Sequence, residues 1–219
     1  MAEISIVPFD EICEAERWDA EFFRPYFRQL GEKLARICQA KLNEYASPSI
    51  TTFNPESVSK FQYVEISDIN LNTGETSSKS ISAEQTPDRA QFLMKGGELL
   101  VSTVRPNRSG IGLLNYSASG FVVSSGFVPL QAKDERWRSY LFVWLKIQVI
   151  TDWLDRQSKA SMYPAVTPSD ILLVPVLHPS ETLLDNVHSL VREIEATLRR
   201  GYELYPEAQG KRIWNRRRV

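Results

Sequence analysis

Apolar and polar positions along this chain change period several times, and each change marks an element. After Asp19, residues Phe27, Leu30, Leu34, Ile37 and Cys38 recur at spacings of three and four, the stripe of an amphipathic helix. Asp19 or Arg24 can cap that helix, and Pro25 suits its first turn. Residues 1–18 read as a short lead-in strand and turn, and residues 46–55, rich in Ser, Thr and Pro, as a loop. At Phe61 the period falls to two: FQYVEISDIN alternates and ends in an Asp-Ile-Asn turn. The polar stretch 72–90 predicts an exposed loop or hairpin, and GGELLVSTVRP a turn and a buried strand. Residues 111–114 and 121–130 predict two more strands around a Ser/Gly-rich turn. WRSYLFVWLKIQVITDWLDRQS predicts one helix whose apolar face carries Leu141, Phe142, Leu145, Val149 and Trp153. ILLVPVL, flanked by prolines, predicts a last short strand or extended run.

Beyond Pro179 the pattern is different. Leu184, Val187, Val191, Ile194, Leu198, Gly201 and Tyr205 step alternately by three and four. That is a 3.5-residue seam, which suits a helix supercoiled on another helix; a plain amphipathic helix lying on the globular part fits it equally. Such a helix is a rod of about 40 Å. The whole pattern predicts an α+β fold: a twisted, mostly antiparallel sheet with flanking helices over residues 1–178, a long coiled-coil-like helix over 179–205, and a basic tail over 206–219. The tail ends KRIWNRRRV, five basic residues in nine, and is expected to be partly disordered.

Composition narrows the function classes. The chain has 219 residues, 26 Lys and Arg against 27 Asp and Glu, and a formal net charge of −1. If it binds a polyanion, its basic residues must be gathered on one face. The two cysteines, Cys13 and Cys38, stand in no CxxC or CxxH setting, so neither a disulfide framework nor a zinc site is expected and a reducing cytoplasm is the expected setting. The acidic N-terminus is unlike a signal peptide, and no run of apolar residues is long enough to span a membrane.

Catalytic signatures are missing. The chain contains no Pro-Pro, which excludes the Asn/Asp-Pro-Pro-aromatic motif of adenine methyltransferases. A restriction nuclease needs Pro-Asp followed by an acidic residue two before a lysine, to hold Mg²⁺ and activate water. Pro87-Asp88 is present, but Glu98 is followed by Leu99 and Leu100. MKGGELL lacks phosphate-loop spacing. His178, beside a proline, and His188, on the last helix, read as structural or solvated residues. A non-enzyme with no cofactor is expected.

The order of segments resembles the target recognition domain of type I restriction-modification specificity subunits. RWDAEFFRPYF, YVEISDINLNTGE, TPDRAQFLMKGGELLVSTVRPNRSGIGLL, VVSSGFVPL and SKASMYPAVTPSDILLVPVLHPS follow one another as in that family, over about residues 17–205. Gln91 stands where the family commonly has arginine, and Glu98 where it has aspartate. The resemblance implies a domain that reads one half of a split double-stranded DNA site. It also implies a spacer helix that docks the DNA methyltransferase (modification) subunit, with the restriction subunit a further candidate partner. A full subunit of this family has two such domains and two spacers; this chain has one of each, so it resembles a half-subunit, or the recognition module of a system encoded in halves, and is a candidate homodimer through the last helix. The seam residues Leu184, Val187, Val191, Ile194, Leu198 and Tyr205 are the candidate dimerisation contacts. The competing reading is a truncated adaptor that docks a methyltransferase or its own twin without reading DNA.

The candidate DNA-contacting residues gather at strand ends and turns, where scaffolds display recognition groups. Arg105, Asn107 and Arg108 follow the LLVSTV strand. Arginine can fork onto guanine and asparagine can pair with adenine, although Arg105 gripping a phosphate or an acidic neighbour fits the sequence as well. Arg89 reads as a phosphate or structural residue. Ser124 and Ser125 beside Gly126 suit a close backbone approach, either to phosphate or to packing. Lys159, Ser161 and Tyr163 form a polar turn, good for phosphates but also ordinary surface. Asp68 and Asn70 read as turn formers, and the five tryptophans as core or interface residues.

Overall fold

The computed structural model describes residue 4, residues 6–159 and residues 163–204. Ser161, Tyr205, Trp214 and the tail 206–219, all singled out in the sequence, lie outside the described residues.

A helix, α1 (Phe9–Ala15), stands where a lead-in strand was expected. Pro8 precedes it, and Asp10 and Glu11 occupy its first turn, where the helix dipole favours carboxylates. It buries none of its residues and is tied to α2 (Pro25–Ile37) by Glu11, which accepts two bonds from Arg28 at 2.9 and 2.6 Å. In α2, Pro25 takes the first position and Phe27, Leu30 and Leu34 are buried. Ile37 is 54% exposed instead, because the helix ends there and the chain turns to extended backbone at the buried Cys38.

Among the described residues ten strands follow in chain order: β1 (Ala40–Lys41), β2 (Ala46–Pro48), β3 (Lys60–Val64), β4 (Lys79–Ser82), β5 (Ala90–Leu93), β6 (Leu99–Ser102), β7 (Ile111–Leu113), β8 (Val122–Ser124), β9 (Phe127–Ala132) and, near the end, β10 (Pro175–Val176). One sheet has the order β2-β9-β6-β7 and is antiparallel throughout. A second has the order β4-β3-β8-β5, with β3 and β8 its parallel pair. β1 and β10 form a two-stranded clasp. The polar stretch 72–90 thus contains the hairpin strand β4.

The expected single strand over 121–130 is two strands in different sheets. The chain bends at Ser125 and Gly126, where the Ser124 hydroxyl accepts the Gly126 N–H at 3.2 Å and the Ser125 N–H donates to the Arg89 carbonyl at 2.8 Å. A Cβ on Gly126 would lie 2.7 Å from Ile66 Cδ1, so a larger residue here would have to displace the end of the Ile66 side chain. The turn before β6 has a similar need: Gly96 and Gly97 adopt φ of 91° and 86°, and added Cβ atoms would meet Tyr116 at 2.4 and 2.3 Å.

The expected helix over 137–158 is also divided. α3 (Glu135–Lys146) and α4 (Gln148–Gln157) break at Ile147, whose ψ is 133°. A straight helix of that length would run about 33 Å, and the two halves serve different neighbours. α3 packs on the last helix and on β7 and β9, while α4 packs on α2 and on the turn after β6. Val149, expected on the apolar face, is therefore 40% exposed. Of the ILLVPVL run, the first residues belong to α5 (Pro168–Leu172), opened by a Thr167–Asp170 capping box; β10 pairs the Pro175–Val176 portion with β1.

β6 is the centre of the molecule. All four of its residues are buried, as its unbroken apolar run requires. Leu99 and Val101 join the main core with Leu130, Leu141, Leu145, Ile150 and Leu154, under the helices. Leu100 points the other way, into a second core with Val64, Met94, Val123 and Phe127 between the two sheets.

The C-terminal helix, α6 (Glu181–Leu204), packs on α3. Leu184 and Val191 are buried in the main core and Val187 packs against it. His188 shares a hydrogen bond of 3.0 Å with Ser139, and Arg136 reaches Glu181 and Asp185 at 2.9 Å each. This half of the seam is thus occupied by the chain's own α3, as expected of an amphipathic helix lying on the globular part, and Leu184, Val187 and Val191 are corrected from dimerisation contacts to residues packed within the chain. Ile194 is 55% exposed, and Leu183 and Leu190 join it in an exposed apolar stripe on the same helix.

Candidate nucleic-acid interface

β6 ends at Ser102, and the chain then makes a tight turn that carries the arginines. Arg105 and Ser109 adopt left-handed backbone, φ 50° and 54°, on either side of a 3-10 turn over Pro106–Arg108. For a residue with a Cβ this costs about 1–2 kcal/mol, so the surroundings must impose it. The Arg105 N–H donates to Pro164 O at 2.8 Å, Thr103 N–H to Gly126 O at 2.9 Å, and Val166 N–H to Thr103 O at 2.9 Å. Pro106 is buried against α4. Strain held this firmly at one exposed turn is characteristic of functional sites.

This turn borders a recess of about 640 Å³. Its floor is apolar, with Ile66, Ile69 and Val104, and its rim carries Arg89, Arg105, Arg108 and Tyr163. The Arg105 guanidinium lies 5.9 Å from the Tyr163 ring centroid, within reach of a cation–π contact. Tyr163 is 66% exposed. Among the described residues no carboxylate pairs with Arg89, Arg105 or Arg108. Several other arginines do pair with acids: Arg17 with Asp19, Arg28 with Glu11, Arg136 with Glu181 and Asp185, Arg138 with Glu195; among the described residues Arg156, Arg199 and Arg200, away from the recess, have no carboxylate partner either. Three cations left without acids around one concavity make a site for an anionic or guanine-like partner.

The other candidates separate. Asn107 is exposed beside the recess, and Lys159 is exposed just beyond α4. Ser125 is exposed, with its N–H held by the Arg89 carbonyl. Ser124 is 3% exposed and its hydroxyl holds the bend at Gly126, so it is a packing residue and not a surface contact. Asp68 and Asn70 are turn formers: Asp68 accepts the Glu65 N–H at 3.0 Å, and Asn70 the Asn72 N–H at 3.0 Å. His178 shares a bond of 2.9 Å with Tyr45 and is structural, like His188. Trp137 and Trp144 are buried, while Trp18 is 75% exposed. Sequence reasoning missed Ile66, Ser67, Ile69 and Leu71, which follow β3 and line the recess.

No family model matches this chain. No curated protein matches it either. Solved structures do, and two of them each have a TM-score of 0.60. One comes from work on complex assembly and conformational transition of the type I restriction-modification system; it is 27% identical and covers 75% of this chain and 43% of its own. The other is the HsdS subunit from Thermoanaerobacter tengcongensis, 26% identical over 77% of this chain and 44% of its own. The chain therefore spans less than half the length of the solved chains it matches. In fold and at this identity, the protein is similar to the target-recognition part of a type I restriction-modification specificity subunit.

Proposed function

We propose that this chain is the DNA-reading half of a type I specificity subunit, binding one half of a split double-stranded target and docking a DNA methyltransferase subunit. The observation that carries this is the group of three arginines without carboxylate partners around one recess, in a chain whose net charge is −1. Arg105 reads a base edge from its strained turn, Arg89 and Arg108 neutralise phosphates, and Tyr163 with Lys159 extends the contact line. The exposed stripe of Leu183, Leu190 and Ile194 supplies the face of α6 for a second helix. In a homodimer that second helix is the twin's, and two recognition halves then stand on one target.

The test is duplex binding across a salt series, with the chain alone and with its methyltransferase subunit. Binding is expected to be weak alone and to strengthen on assembly, with a salt slope of about −3 if three phosphates are neutralised at about −0.9 each. Arg105→Ala is expected to cost about 1–3 kcal/mol and to relax preference at one base pair. A uniform loss on all sequences, with the slope reduced by about one, makes Arg105 a phosphate contact instead. Duplex binding that is absent in both settings defeats the reading.

A further inference from the structure

The N-terminal segment reaches across the fold to the edge that carries Lys159 and Tyr163. Arg17 donates from Nη1 to the Gln157 carbonyl at 3.1 Å and from Nη2 to the Ser158 carbonyl at 2.9 Å. Its Nε donates to Asp19 at 2.7 Å, and its side chain is 13% exposed. Asp19 in turn accepts the Phe22 N–H at 3.0 Å. The Phe22 ring lies 4.7 Å from the Arg17 guanidinium and 4.1 Å from that of Arg156, and Arg156 Nε donates to the Phe22 carbonyl at 3.2 Å. The last carbonyls of a helix have no partner within it and carry partial negative charge. One planar guanidinium satisfies two of them at the end of α4 and is itself held by a carboxylate.

The backbone just beyond this fork is bonded to the arginine turn. The Lys159 N–H donates to Ala165 O at 3.2 Å, and the neighbouring Pro164 O accepts the Arg105 N–H at 2.8 Å. Val104 bridges to Ala165. Arg17 therefore anchors one end of a run of backbone bonds whose other end fixes Arg105.

We propose that Arg17 is a positioning residue for the DNA-reading edge: by holding the Gln157 and Ser158 carbonyls, it sets where Lys159 and Tyr163 stand beside Arg105. It touches no DNA itself. This rests on the DNA-reading function proposed above, and the test keeps the two apart.

Hydrogen exchange and binding to a pool of random-sequence duplex are measured on the full chain, with its methyltransferase subunit for the binding. In Arg17→Ala the Lys159 amide is expected to exchange about tenfold faster while the Leu100 and Val101 amides of β6 are unchanged, a local opening. Duplex affinity is expected to fall about fivefold, the equivalent of about 1 kcal/mol. In a Lys159→Ala, Tyr163→Ala background, Arg17→Ala should add nothing further. Arg17→Lys, which keeps the charge but not the fork, should fall between and serves if the alanine variant does not fold. Unchanged Lys159 exchange, equal acceleration at every amide, or fully additive binding losses would each overturn the role of Arg17. A wild type that binds no duplex removes the DNA reading itself; a wild type that binds as tightly as Arg17→Ala removes only the positioning role.

Discussion

Arg138 offers the sharpest test of how α6 is held to the domain. It is 4% exposed. Nε donates to the Gly97 carbonyl at 2.8 Å, and Nη2 to the Leu114 carbonyl at 2.9 Å and to Glu195 on α6 at 3.2 Å. Its guanidinium also lies 5.0 Å from the Tyr116 ring centroid. Arg138→Ala leaves two carbonyls and a half-buried carboxylate without their donor. A hydrogen bond to a charged group contributes about 1.5–3 kcal/mol, and removing one partner of a buried ion pair costs about 3–5 kcal/mol. These overlap, so the expected loss is about 3–4 kcal/mol. Glu195→Ala removes a carboxylate whose side chain is 29% exposed and leaves Arg138 its two carbonyls; solvent screening holds that loss to about 1 kcal/mol. Urea unfolding of the full chain, followed by the fluorescence of the buried Trp137 and Trp144, measures both. A loss under 1 kcal/mol for Arg138→Ala, or equal losses for the two variants, would refute the reasoning.

Three further outcomes are expected. Ser109→Gly should stabilise the chain by about 1–2 kcal/mol, since Ser109 combines a φ of 54° with a buried hydroxyl that has no hydrogen-bond partner; thermal unfolding checks the sign. Leu190→Glu with Ile194→Glu, both exposed, should abolish self-association in sedimentation without lowering stability, whereas Val191→Glu, at 4% exposure, should destabilise the fold by several kcal/mol. The hydrogen bond from Arg17 holds the Asp19 carboxyl below its ordinary 3.8. Its contribution is therefore present above pH 3.8 and is lost as the pH falls through the lower folded value. Exchange at the Phe22 amide should rise over that window in the wild type and be insensitive to it in Asp19→Asn.

The parts of the fold that were legible in the sequence are those whose pattern is set locally. The stripe of α2 and the unbroken apolar run of β6 each have one periodicity and one burial environment. The break at Ile147 was not legible because nothing there interrupts the apolar pattern, and the Ser-Ser-Gly at 124–126 reads as a contact point instead of a bend. Ile147 divides a helix because its two halves pack against different elements, and the strand divides at Ser125 and Gly126, where the Ser124 hydroxyl and the Arg89 carbonyl hold the bend. At the candidate site, an Arg-Pro-Asn-Arg turn after a buried strand was readable as a display loop. The apolar floor and the approach of Tyr163 to Arg105 depend on contacts far apart in sequence, and Ser124 misled because a serine beside glycine suits packing as well as phosphate.

The clasp between β1 and β10 has a consequence for how the chain is made. Ala40 pairs with Val176, so one edge of the domain has no partner until the ribosome has added nearly the rest of the globular part. At about 5–20 residues per second that interval is on the order of ten seconds. Through it the apolar face of α2 and the early strands wait uncovered, exposed to aggregation and to chaperones. A domain closed this way is an all-or-none product of translation. A truncation that ends before β10 should give no smaller folded unit, and a viable break between the domain and its helix has to fall after Val176.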